Sequence, residues 1–283
     1  MPPLTIFDHR RDSAGLLYVY PVLSRRSGGL SIGINLNPNN ACNWACRYCQ
    51  VPNLQRGSGP LIDLERLDVE FRSLLEEVAS GEFFERHGIP KDQRAIRDIA
   101  LSGNGEPTSS KELPKVIGLI GRILAEYDLL GKIKLVLISN GSLMRRDKVQ
   151  QALAHWGELG GQIWFKLDSA TTEGMAAINL IQMTPQTVLE NLKAAARLCP
   201  TFIQTCVVAI EDEAPSAKEQ VAYRDFLQSA LDEGIELAGV LIYGLARTPL
   251  QPGAEDISPV TLEVLEAYGD AARGLGLETK VHL

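Results

Sequence analysis

Residues 30–49 open as Leu30-Ser-Ile-Gly-Ile-Asn-Leu36 and run on to Cys42-Asn-Trp-Ala-Cys46-Arg-Tyr-Cys49. The first stretch is short, apolar and bounded by polar residues, which predicts a buried strand. The second lies in a polar loop, Asn37 to Gly59, that holds three of the five cysteines. The same alternation recurs along the chain. Strands are predicted at Ile96–Leu101, Ile133–Ile138, Gln162–Leu167, Phe202–Ile210 and Ala238–Tyr243, with a short last one at Leu277–His282. Helices are predicted at Ile62–Phe84, Glu112–Leu130, Arg146–Leu159, Pro185–Leu198, Ser216–Glu233 and Pro259–Leu275. Leu64, Leu67, Phe71, Leu74 and Leu75 give the first helix one apolar face, and Thr184 is placed to cap the fourth. Six strand-then-helix units with continuous apolar strands imply a parallel sheet covered on both faces. The pattern alone leaves an open sheet and a partial barrel equally allowed. Residues 1–29 read as an extension, and residues 30–283 as one core domain.

Composition bounds the function. The chain has 283 residues, 45% of them hydrophobic, with 28 basic and 35 acidic side chains for a net charge of −7. A disordered chain is excluded. The acidic balance disfavours, without forbidding, a nucleic-acid partner, because such proteins usually carry a basic excess. The apolar run Leu237 to Ala246 falls well short of the roughly 18 residues of a membrane span. Asp8, His9, Arg10, Arg11 and Asp12 leave no apolar signal core near the start. The expected compartment is the cytoplasm.

Five cysteines are an odd number, and Cys199 and Cys206 lie far from the other three. A disulfide framework would spread and pair them. The spacing Cys-x3-Cys-x2-Cys lets three thiolates reach different irons of one cluster. Zinc is a rival, but a structural zinc site takes four ligands, and His9, His87, His155 and His282 are all distant in sequence. A redox pair at Cys46 and Cys49 leaves Cys42 unexplained.

Function in parallel α/β folds collects at the carboxyl ends of the strands. There the sequence places Gly103, Asn104, Gly105 and Glu106, then Ser139 and Asn140, then Lys166 and Asp168, then Gln204, then Arg247. Glycines let a ligand approach backbone closely, although the same residues also make a plain turn. Asn140-Gly141 is likewise a favoured turn pair. Lys166 and Asp168 are two apart and share one strand face. Gln204 and Cys206 share another, although a buried cysteine is more often packing than chemistry. Arg247 presents a fork of donors suited to a carboxylate or phosphate, or to solvent. Trp44 is expected to shield the cysteine loop, and Trp156 and Trp164 to lie in the core.

The loop resembles the CxxxCxxC signature of the radical S-adenosylmethionine (SAM) superfamily, with the aromatic Tyr48 just before the third cysteine. Gly103-Asn104-Gly105-Glu106-Pro107-Thr108 is similar to that superfamily's GGE motif, with Asn104 standing within the glycine pair. Ser24-Arg25-Arg26, Gly33-Ile34-Asn35-Leu36 and Cys46-Arg-Tyr-Cys49-Gln50 resemble a branch of iron–sulfur oxidoreductases related to wyosine-base tRNA synthases. The superfamily resemblance runs from about Leu30 to Leu283. It implies a partial (β/α)6 TIM-type barrel, one 4Fe–4S cluster on Cys42, Cys46 and Cys49, and SAM bound at the open iron. It implies reductive cleavage of SAM to a 5′-deoxyadenosyl radical that abstracts hydrogen from a substrate, with reduced flavodoxin or ferredoxin as electron donor. Tyr48, Gly103, Asn104, Gly105, Glu106, Ser139, Asn140, Gln204 and Arg247 then form the cofactor-binding set, with Glu106 facing the SAM ammonium. Lys166 and Asp168 are the catalytic candidates. Wyosine-type relatives carry cysteines ahead of the signature for a second cluster, and this chain has none before Cys42. The expected substrate is therefore an unidentified small molecule or peptide. The alternatives are a tRNA-base modifier of the wyosine type and a non-catalytic iron–sulfur electron carrier.

Overall fold

The computed structural model describes residues 15–24 and 28–283. Arg25 and Arg26 lie outside the described residues. In chain order the elements are β1 (Val19–Ser24), β2 (Gly29–Ile34), β3 (Ala41–Cys42), β4 (Gln55–Arg56), α1 (Leu64–Ser80), α2 (Glu82–Arg86), β5 (Ile96–Leu101), α3 (Leu113–Glu126), β6 (Lys134–Ser139) and α4 (Asp147–Glu158). They continue with β7 (Gly161–Lys166), α5 (Thr172–Asn179), α6 (Pro185–Ala196), β8 (Thr201–Cys206), β9 (Val208–Ile210), α7 (Ala217–Asp232), β10 (Leu237–Tyr243), β11 (Ile257–Pro259), α8 (Leu262–Arg273) and β12 (Thr279–His282). The main sheet has the order β1-β2-β5-β6-β7-β8-β10-β12. Every pairing in it is parallel except β1 with β2. The strands follow chain order and β1 and β12 do not meet, so the sheet is a partial (β/α)6 barrel open on one side.

The two faces of the sheet differ. Along β7, Gly161, Ile163 and Phe165 are buried while Gln162, Trp164 and Lys166 are half-buried. Ile163 and Phe165 join the core with the helices, among them Val116, Ile117, Ile120, Ile123 and Leu124 of α3. Each such side chain, removed from water, contributes about 1.5–3 kcal/mol. The other, concave face stays partly open. Trp156 is fully buried as expected. Trp164 is not core: it stands on the concave side, its indole Nε1 buried and without a hydrogen-bond partner.

Several elements differ from the sequence reading. Residues 19–24 form an antiparallel edge strand inside the segment read as an extension. The first helix divides at Gly81, whose φ of +84° suits glycine and ends α1. The strand expected to reach Ile210 breaks after Cys206, and β9 pairs instead with β11, where the last helix was expected to begin. The helix α5 was not expected. Among the described residues no helix is long and apolar enough to cross a membrane.

β1 serves the barrel mouth directly. The Tyr20 ring lies over Gly33, where an added Cβ would come within 2.1 Å of it. The Tyr20 hydroxyl then shares a 2.7 Å hydrogen bond with Ser102 at the end of β5. Gly33→Ala is therefore expected to cost about 1–3 kcal/mol in urea unfolding, and distinctly less in a Tyr20→Ala background.

Candidate metal centre and active site

The cysteine loop has little secondary structure of its own, so other segments must satisfy its backbone. On one side Ala45 N donates to Asn179 O (3.4 Å) and Arg47 N to Ile178 O (2.9 Å). The Arg56 guanidinium bonds Leu180 O. On the other side Leu250 N (2.9 Å) and Gln251 Nε2 (3.2 Å) donate to Cys49 O. Arg47 reaches Asp256 and Arg247 reaches Gln50 Oε1 at 3.2 Å. The loop is thus clasped over the mouth by the end of α5 and by the segment after β10, and Arg247 takes part in that clasp.

Beneath the loop lie two polar clusters. The first joins the ends of β2, β5 and β6. Glu106 is buried, and its Oε1 accepts from Ser139 Oγ (2.7 Å), Thr108 Oγ1 (2.5 Å) and Thr108 N (3.1 Å). Its Oε2 accepts from Asn140 N at 2.7 Å. Burial pushes the Glu106 carboxyl up, against the pull of these donors. Asn35 Oδ1 receives Asn37 N and Asn104 N, both at 3.0 Å. A Cβ on Gly103 (φ +141°) would stand 2.4 Å from that same oxygen, and one on Gly105 would stand 2.1 Å from Ala41 O. Both positions therefore need glycine. Asn140 Nδ2 reaches Asn43 Oδ1 in the cysteine loop at 2.8 Å.

The second cluster joins β7, β8 and β10. Lys166 Nζ donates to the hydroxyls of Tyr48 (2.7 Å) and Tyr243 (3.1 Å). It also lies 4.8 Å from the centre of the Tyr48 ring. The Tyr48 hydroxyl donates to Asp168 Oδ2 at 2.5 Å, which also accepts from Asn179 Nδ2 at 2.7 Å. Asp168 Oδ1 takes Cys206 N at 2.9 Å. Burial works to lower the Lys166 pKa, but Tyr243 and Asp168 outweigh it and hold the ammonium charged well above its ordinary range. Burial, then Asp168, pushes the Tyr48 phenol up, so it stays neutral. Gln204 is in register with Lys166 and shares its face, with its Oε1 buried and unpartnered.

The thiols bridge the clusters. Cys42 feels the charge of Glu106, Cys46 that of Asp168, and both feel Cys49. Burial pushes Cys42 to about 11 and Cys46 to about 12, so each carries its proton until a metal displaces it.

A model of the Radical SAM superfamily matches residues 36–215, more than half of the chain. The chain belongs to the radical SAM superfamily. Its cofactors are a 4Fe–4S cluster and SAM. A UPF0026 protein of Helicobacter pylori is 25% identical over 224 residues, 78% of this chain and 65% of its own length. The chain thus spans less than two thirds of that relative. A radical SAM methyltransferase from Sphaerobacter thermophilus shares the fold with a TM-score of 0.60 at 12% identity, over 93% of this chain and 69% of its own. The structure of TYW1 with a lysine-pyruvate adduct bound shares it with a TM-score of 0.54 at 14% identity, over 86% and 73%.

The residues fit the radical SAM cofactors. Among the described residues no three His, Cys, Asp or Glu side chains are grouped to hold a single metal ion. A cubane asks for something else, one thiolate on each of three irons. Asn104 Oδ1, on the glycine loop, is buried without a partner and is an acceptor suited to an ammonium. The side chains of Ser139 and Asn140, expected at the SAM site, bond Glu106 and Asn43 respectively. Tyr48, placed with the cofactor set, bonds both Lys166 and Asp168. Asn43, Asn179 and Tyr243 were missed. Thr171 followed by Glu173 carries a helix-start signal that would have found α5, and so Asn179.

Removing the Glu106 carboxylate leaves buried donors without an acceptor. Glu106→Ala is expected to lose about 1–3 kcal/mol in chemical denaturation, with Ser139→Ala losing less.

Proposed function

We propose that this chain is a radical SAM enzyme that removes a hydrogen atom from a small molecule or peptide held on the concave face of the barrel. The observation that carries the reading is a shared loop: the segment that supplies the three thiols also supplies Tyr48, whose hydroxyl joins Lys166 to Asp168. When bound, the reduced cluster supplies the electron that cleaves SAM to methionine and a 5′-deoxyadenosyl radical, with reduced flavodoxin or ferredoxin as donor.

The chain's own residues bind, orient and shield. Asn104 Oδ1 and the less occupied oxygen of Glu106, Oε2, accept from the SAM ammonium. Gln204 Oε1 offers a further acceptor. The Lys166 ammonium anchors an anionic group of the substrate, with Asp168 and the two phenols fixing its direction. Trp44 is buried within the cysteine loop and keeps water from the cluster. Residues 30–283 act as the catalytic core, with β1 added at its edge, and the cytoplasm is the working compartment.

A second reading follows from TYW1, which has been solved with a lysine-pyruvate adduct. Lys166 faces the mouth, as an amine that captures a carbonyl would have to. A neutral amine is needed for that attack, and here Asp168 and two hydroxyls favour the ammonium. An ionic anchor is therefore the better account, and the net charge of −7 adds no support for a tRNA substrate.

The test is anaerobic. The chain is reconstituted with iron and sulfide, reduced, and examined by electron paramagnetic resonance with and without SAM, while 5′-deoxyadenosine is assayed in the same sample. A 4Fe–4S signal that changes with SAM, with nucleoside released, is expected. Joint replacement of Cys42, Cys46 and Cys49 by Ala is expected to abolish both. A cluster that ignores SAM would leave an electron carrier, and zinc in place of iron would end the reading.

A further inference from the structure

The Asn179 side chain stands between the thiol loop and the Lys166 cluster. It is almost fully buried, with 1% of its surface exposed. Its Nδ2 donates to Cys46 Sγ at 3.2 Å and to Asp168 Oδ2 at 2.7 Å. An amide nitrogen carries two hydrogens, so both are committed. Reversing the amide would turn its oxygen toward the Asp168 carboxylate, which allows only one orientation. The backbone fixes the position as well. Asn179 ends α5, Leu180 follows at φ +54°, and the carbonyls of Ile178, Asn179 and Leu180 are all taken by the cysteine loop. The amide is therefore held toward one thiol before any metal arrives.

A hydrogen bond to a cluster sulfur favours the more negative, reduced form, and such bonds help set cluster potentials. We propose, on the basis of the radical SAM reading, that Asn179 is a positioning residue that raises the reduction potential of the cluster through the Cys46 thiolate. Its second hydrogen, on Asp168, ties that sulfur to the group that orients Lys166 through Tyr48. An unbroken path of hydrogen bonds thus leads from the substrate anchor to one cluster ligand.

The experiment compares the reconstituted 283-residue chain with Asn179→Leu, which keeps the branched shape and removes the donor. Reduction is titrated with dithionite and mediators and followed by electron paramagnetic resonance, with no substrate needed. At a fixed potential the ratio of reduced to oxidised cluster is expected to fall about tenfold, a shift of about 59 mV for a one-electron couple. Asn179→Ser keeps one hydroxyl donor and is expected to lie between the two. It carries the comparison if Asn179→Leu fails to give a cooperative melt. A purely structural role would change melting temperature and cluster yield but not the potential of the loaded fraction. Wild-type potentials in both variants would overturn the proposal. A wild-type chain that forms no 4Fe–4S cluster would overturn the radical SAM reading itself, and is told apart because the variants are then never compared.

Discussion

The buried carboxylate of Asp168 is the constraint around which the mouth of the barrel is arranged. A buried charge costs several kcal/mol unless donors meet it. Asp168 is met by a phenol from the thiol loop, an amide from α5 and a backbone N–H from β8. Satisfying it brings three distant parts of the chain together. Lys166 completes the set as its counter-ion through Tyr48, which is why that lysine can sit deep in the mouth and keep its charge. Glu106 plays the matching part on the other side, tying the glycine loop to the end of β6. The thiol loop hangs between two buried acids, with Cys42 beside Glu106 and Cys46 beside Asp168.

The open barrel explains why this arrangement is accessible. A closed barrel fills its interior with side chains. Here the sheet ends at β1 and β12, and the inward residues of β7 are only half-buried. Among the described residues, buried polar atoms without partners then fall at the mouth: Asn104 on the glycine loop, and Gln204 and Trp164 on the concave face. Elsewhere in a well-packed protein such atoms are rare.

Much of this was legible in the sequence. The six parallel strands were visible because each is a short apolar run closed by polar residues. The cysteines, Glu106, Lys166 and Asp168 were visible because their chemistry is concentrated at strand ends. What escaped notice acts through tertiary contact. Val19–Ser24 has no helix after it and reads as a tail, because its pairing with β2 turns back rather than crossing over. Asn179 is one amide among many until α5 delivers it to a sulfur. Trp164 was misread for a physical reason: in a sheet covered on both faces an apolar strand residue is core, whereas the concave face here has no second layer.

The clasp on the cysteine loop also orders the events of biosynthesis. Cys42, Cys46 and Cys49 are made early, but Cys49 O waits for Leu250 and Gln251, and Arg47 for Asp256. Most of the barrel is on the ribosome's far side before those partners exist. The nascent thiols therefore pass through a period without their final cage, exposed to oxidation and to stray metals. A cluster seated in the finished cage therefore needs the chain made through Asp256, and the thiols lie uncovered until then.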